Sequence, residues 1–264
     1  MPRLSVDIDL TYLPLESREI SLDNIHNNLQ AFQSKIIKLF PNIKISKRMS
    51  QDSKHCFGLV ISRNNVAIKC EVNLIIRGSV YPPELKMLHP DVQKIFGKAV
   101  EIQTLSFADL YAGKICAALD RQHPRDLFDI MLLNSHEGIT DDIRKAFIVY
   151  LISHNRPISE LLKPNKVPIR QIYDNEFKGM TNMNISLNDL LETRDRLFDE
   201  IVTILTENEK QFLLSFKSGK PQWKLLEFNH IQYLPAVQWK LQNINKMSPK
   251  KHNEALEKLA SILV

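Results

Sequence analysis

The sequence is poor in the residue that builds most nucleotide cradles: it has seven glycines in 264 positions. None of them forms a Gly-x-Gly-x-x-Gly fingerprint or a P-loop, and Ser218-Gly219-Lys220 lacks the upstream glycine that a P-loop needs. Three cysteines, Cys56, Cys70 and Cys116, are an odd number without a close pair, which argues against a disulfide framework or a Cys-x-x-Cys metal knuckle. Cys70 and Cys116 stand among apolar neighbours, so reduced thiols packed in a core are expected. The eight histidines include no His-x-x-x-His pair, which leaves a zinc site poorly supported. No apolar run approaches the roughly 20 residues that cross a bilayer, and Met1-Pro2-Arg3-Leu4-Ser5 starts no apolar signal region. The expectation is a cytoplasmic protein with no membrane contact.

What is present is ordinary for a folded chain: 44% hydrophobic and 25% charged residues. The length fits one large domain or two modest ones. A net charge of +5 and a pI near 9.0 suit a phosphate-bearing partner, although many proteins with such a balance bind none.

Residues 4–12 alternate in character. Leu4, Val6, Ile8 and Leu10 share one face, with Ser5, Asp7, Asp9 and Thr11 on the other, and that period of two predicts a strand. Apolar residues at helical spacing from Leu22 to Phe40 predict a helix, with Ser21 as N-cap and Pro41 as stop. Three β-rich stretches follow, over 43–49, 56–62 and 66–76, the last two joined at Asn64-Asn65, and they predict an antiparallel meander joined to the first strand. Tyr81-Pro82-Pro83 reads as a break, and 100–104 as a short strand. Ser106 with Asp109 resembles a capping box, opening a helix to about Arg121, and Pro124 can begin the next. Beyond Glu137-Gly138 the pattern is almost wholly helical, without internal repeats. The fold class is therefore α+β, with an α+β front part over 1–135 and a helical back part over 136–264.

Asp7 and Asp9 lie two apart on a strand, so both carboxylates leave the same face about 7 Å apart. Like charges so placed repel unless a cation lies between them, and hard oxygens at this spacing suit Mg²⁺. A solvated strand face is the alternative. Glu71 could complete a three-carboxylate cluster of the kind that holds metals in nucleotidyl transfer, or could pair with Lys69 on an edge strand. Lys114 and Arg121, seven apart, share one side of a helix with Phe107 and Ala118. A lysine there either snorkels or serves an anion. Arg125 and Asp129, four apart, could form a helix salt bridge, and Asp126 and Asp129 face roughly the same way.

Taken together, Arg3-Leu4-Ser5-Val6-Asp7-Ile8-Asp9-Leu10, the Glu71 strand and Lys114…Arg121…Arg125-Asp126-Leu127-Phe128-Asp129 resemble the nucleotidyl transferase AbiEii/AbiGii toxin family in order and spacing. The late segment from Leu234 through Trp239, Lys240 and Asn243 to Ile244 resembles that family's C-terminal region. The resemblance implies a polymerase-beta-like nucleotidyltransferase core with a helical C-terminal domain, acting with Mg²⁺ on a nucleoside triphosphate. The implied acceptor is an RNA such as the 3′ end of tRNA, and the implied partner is an antitoxin of the DNA-binding repressor type. It assigns Asp7 and Asp9 as metal ligands, with Glu71 as a third carboxylate. Lys114 becomes the triphosphate-binding lysine, with Ser5, Arg121 and Arg125 also on the nucleotide. Asp126 becomes the late-motif acid, supported by Asp129. The family carries a Gly-Gly or Gly-Ser element upstream of the Asp-x-Asp strand. Six residues precede Asp7 in this sequence, so an N-terminally truncated core without that element is expected. A catalytically inactive protein that binds antitoxin or RNA, or a metal-dependent nuclease using the same carboxylates, are the alternatives.

Overall fold

The computed structural model describes residues 3–5, 7–51 and 53–264. The alternating segment at the start becomes strand β1 (Asp7–Thr11), and the helical periodicity becomes α1 (Arg18–Leu39). The three β-rich stretches become β2 (Lys44–Met49), β3 (Cys56–Arg63) and β4 (Val66–Asn73). These form one four-stranded sheet in the order β1-β4-β3-β2. The meander β2-β3-β4 is antiparallel, as expected, whereas β1 runs parallel to β4. That parallel pairing needs a long crossover, which α1 and the β2–β3 hairpin supply.

Helix α1 starts four residues earlier than predicted. Ser17 is the N-cap, accepting from the Ile20 N–H at 3.4 Å, and Ser21 is fully buried inside the helix. Both serines have the right chemistry for a cap; burial of Ser21 decides between them. Ile25 and Leu29 of α1 pack on Cys56 and Leu59, which covers β3. The expected apolar face of β1 is less covered, because α1 sits over β3: Ile8 is 51% and Leu10 37% exposed. Val6 lies outside the described residues.

A second ribbon pairs β5 (Glu84–Met87) with β6 (Glu101–Thr104), and α2 (Pro90–Phe96) links them. The helical remainder comprises α3 (Phe107–Arg121), α4 (Pro124–Ser135), α5 (Asp141–Ser153), α6 (Ile158–Leu162), α7 (Arg170–Ile172) with a π turn over Tyr173–Phe177, α8 (Leu187–Glu200), α9 (Glu207–Lys217), α10 (Pro235–Asn245) and α11 (Pro249–Leu263). The α+β class and the helical back part are as the sequence predicts. Buried side chains form two clusters: a small one between α1 and β3, and a large one running from Val80 to Leu263. The large cluster includes residues of α3, α4 and α5.

Asp109 is the polar centre of that large cluster. Its fully buried carboxylate accepts from the Val80 and Tyr81 N–H groups at 2.8 and 2.9 Å, from Ser106 Oγ at 2.7 Å and from the Tyr150 hydroxyl at 3.2 Å. The capping motif thus also fastens the entry to β5 onto α3 and α5. All three cysteines are buried free thiols. Among the described residues, no helix is long and apolar enough to cross a membrane.

Candidate active site

The sheet presents one charged face. Strand register places Asp7 beside Lys69 and Asp9 beside Glu71 on β4, with Gly58 of β3 beside Glu71 and Arg48 of β2 beside Gly58. Asp9, Glu71, Gly58 and Arg48 therefore form a row across all four strands. Lys69 Nζ lies 2.9 Å from Glu71 and 3.5 Å from Asp7, and Arg48 reaches Glu71 at 2.7 Å. The Arg48 contact is an ion pair without hydrogen-bond alignment, since among the described residues Glu71 Oε1 has no hydrogen-bond partner. Gly58, between them, has no room for a side chain: a Cβ there would stand 2.8 Å from the Cys70 carbonyl oxygen and 3.0 Å from Glu71 Cγ. The Lys69–Glu71 pairing that the sequence allowed is present, but β4 is interior; the edge strands are β1 and β2.

The second half of the site lies on α3 and α4. These helices are joined at Gln122 and His123, where Gln122 adopts a left-handed conformation at φ 51° and His123 caps α4 through Nδ1. The short joint turns the helices back on one another, so that Arg121 meets Asp126 and Lys114 meets Asp129. Arg121 donates Nε and Nη2 to Asp126 at 2.6 and 2.9 Å, and Lys114 donates to Asp129. Both aspartates are largely buried; Lys114 is about a quarter and Arg121 more than half exposed.

Arg3 connects the two halves. It donates Nε and Nη2 to the two oxygens of Asp129 at 2.8 and 2.6 Å, and the Leu4 N–H donates to the Met180 carbonyl at 2.8 Å. The chain leading into β1 is thus fastened to α4. Burial raises the Asp129 carboxyl's pKa, but the Arg3 hydrogen bonds and the Lys114 ammonium outweigh it and hold the group below the ordinary carboxylate value. Asp126 binds Arg121 and adds to the field at Arg3, and Asp9 adds to the field at Arg121, so the β1 and α3–α4 groups share one electrostatic neighbourhood. Burial raises the Tyr111 hydroxyl, with Asp129 adding to it, and the ring lies 6.0 Å from Lys114 Nζ.

Residues 1–243 match the family model of the nucleotidyl transferase AbiEii toxin of type IV toxin–antitoxin systems. The chain belongs to this family. A solved structure of MenT4, a nucleotidyltransferase toxin from Mycobacterium tuberculosis H37Rv, has the same fold. It aligns with a TM-score of 0.53 at 13% identity, covering 99% of this chain and 79% of that one. No curated protein sequence matches the chain.

In this AbiEii-family chain, Asp7, Asp9 and Glu71 share the sheet face, and Lys114, Arg121, Asp126 and Asp129 share the α3–α4 joint. Ser5 is exposed and donates to the Asp7 carbonyl at 3.2 Å. Arg125 forms no ion pair with Asp129, whose oxygens are taken by Arg3 and Lys114. The donor chemistry of Asp7 and Asp9 fits a hard divalent cation that completes its shell with water and substrate phosphates. Among the described residues, no three His, Cys, Asp or Glu side chains converge as a ready-made metal cage. Arg3 stood in the motif string without a role, and Lys69, Arg48, Gly58 and Tyr111 carry no motif spacing of their own. Only Lys69, as a neighbour of Glu71, was legible as a partner.

Proposed function

We propose that this chain transfers a nucleotide from a nucleoside triphosphate to an RNA acceptor, the 3′ end of tRNA being the first to test. Mg²⁺ is the proposed cation, held by Asp7 and Asp9. Glu71 is the third carboxylate of the set, its charge balanced by Lys69 and Arg48. The observation that carries the reading is the Arg3–Asp129–Lys114 cluster, which holds the Asp7/Asp9 strand beside two cationic side chains. A bound Mg²⁺ would neutralise charge on the phosphate oxygens of the transferring group.

The protein's own groups account for the rest. Lys114 and Arg121 offer charge-assisted hydrogen bonds to triphosphate oxygens, with Arg125 and Ser5 at the margin. Asp126 and Asp129 keep the two cations aimed before substrate arrives, and phosphate oxygens then replace the carboxylates as their partners. Fixing the cations in advance lowers the reorganisation needed at reaction. As a toxin, the chain is proposed to be restrained by an antitoxin of the DNA-binding repressor type.

One observation favours a non-catalytic, RNA- or antitoxin-binding role instead: Lys114 and Arg121 already have carboxylate partners. Incubating the purified chain with Mg²⁺, labelled nucleoside triphosphates and total tRNA separates the readings. Label transfer that is lost in Asp7→Ala supports the enzyme. Retention of tRNA without transfer supports the binding role, and shortening of the RNA supports a nuclease.

A further inference from the structure

Arg77 lies away from the charged sheet face. It follows β4 and is only 5% exposed, yet among the described residues its Nε and Nη1 have no hydrogen-bond partner. An unsatisfied buried guanidinium is costly to a folded chain and calls for an explanation. The adjacent Gly78 fixes the backbone there. It has φ 81°, its N–H donates to the Tyr12 carbonyl at 2.8 Å, and Leu15 and Leu234 stand where a Cβ would project.

Arg77 lines a cavity of about 790 Å³ between the start of α1 and the start of α10. Arg18 also lines it and adds to the positive field at Arg77. The carboxylate in the lining is Glu16, whose Oε2 is already engaged by the Tyr12 hydroxyl at 2.8 Å and Asn24 Nδ2 at 3.1 Å. Two helix N-termini open onto the cavity, and that of α10 has no side-chain cap. Both ends favour an anion. The cavity is also lined by Tyr233 and Trp239, which are 59% and 48% exposed. Trp239 belongs to the late segment that marked the C-terminal region in the sequence, and the proposed transfer chemistry gives it no role.

We propose that this cavity binds one nucleotide unit, with its phosphate on Arg77 and Arg18 and its base stacked on Trp239 or Tyr233. Charge-assisted hydrogen bonds would satisfy the buried guanidinium, and base stacking on exposed rings tolerates any base. The proposal rests on the nucleotidyl-transfer reading for its choice of a nucleotide as ligand. A free nucleotide and an RNA strand present the same phosphate and ring, and the test separates the two sources.

The test is titration of the full chain in EDTA, read by tryptophan fluorescence and calorimetry, with inorganic phosphate, adenosine monophosphate and a short single-stranded RNA. EDTA makes the result independent of Mg²⁺-dependent transfer, so this proposal and the transferase reading fail separately. We expect saturable quenching by the monophosphate, the RNA or both, and weaker binding of inorganic phosphate. Saturation by the RNA alone assigns the site to a strand; saturation by the monophosphate assigns it to a free nucleotide. Arg77→Gln should weaken binding by about tenfold or more while leaving the melting temperature unchanged or raised, because an unpaired buried charge is removed. Arg18→Ala, at an exposed position, should weaken binding without a folding defect. Trp239→Phe should remove most of the quench and keep the heat of binding. Absence of binding by every probe, equal binding of inorganic phosphate and nucleotide, or unchanged affinity in Arg77→Gln would overturn the proposal.

Discussion

Arg3 donates two hydrogen bonds to Asp129, closing a link between residues 126 positions apart and fastening the chain before β1 onto α4. Lys114 shares the same carboxylate, so three side chains set the spacing between the sheet and the α3–α4 joint. If this link aligns the site, Arg3→Gln should cut nucleotide transfer by about tenfold or more while costing only about 1–3 kcal/mol of stability. Activity assays paired with urea denaturation check this. Full activity in Arg3→Gln would show that the link is only structural.

The Asp129 pKa gives the cluster a pH signature. Its folded pKa lies below the ordinary carboxyl value of about 3.9, so its stabilising contribution is complete above that value and is lost as pH falls through the folded pKa. The stability gap between wild type and Asp129→Asn should be constant from about pH 7 to 5 and shrink in the acid range below about pH 4. Denaturation series at several pH values measure it. A gap unchanged down to the lowest accessible pH would contradict the assignment.

Gly58 sits in the row beneath Arg48 and Glu71. Gly58→Ala should destabilise the sheet by about 1–3 kcal/mol, because the new methyl meets backbone oxygen that cannot yield. Thermal unfolding tests this, and a neutral result would mean that β3 shifts without cost.

Asp109 gathers four donors from three separate stretches of chain. Asp109→Asn keeps the shape but replaces one accepting oxygen by an amide donor, and should cost about 2–3 kcal/mol. Chemical denaturation of the purified variant checks the loss.

Much of this architecture was legible because it is local. Alternation around Asp7 and Asp9 marks β1, Pro124 marks the start of α4, and Ser106 with Asp109 marks the start of α3. Where two residues satisfied the same local rule, the local rule failed to choose: Ser17 and Ser21 are equally good caps, and only the folded chain shows Ser17 capping and Ser21 buried within the helix. Strand β5 was hidden because Glu84-Leu85-Lys86-Met87 directly follows Pro82-Pro83 and its alternation spans only four residues, all of them exposed, too short a stretch to mark a strand. The candidate site was readable as a set of residue types and spacings. Its pairings were not, since Arg3 with Asp129, and Val80, Tyr81 and Tyr150 with Asp109, meet only after folding. The 125–129 spacing suggested a helix salt bridge, which gives way because Arg3 and Lys114 claim both oxygens of Asp129.

The most direct test of the account is nucleotide transfer by Asp9→Asn. The substitution keeps the volume and the strand but removes one of two charges that would hold the cation. With Mg²⁺, labelled nucleoside triphosphates and tRNA, wild type should transfer label and Asp9→Asn should lose it by about a hundredfold or more, with unchanged folding. Transfer by Asp9→Asn at the wild-type rate would contradict the assignment of the Asp7/Asp9 strand as the catalytic centre.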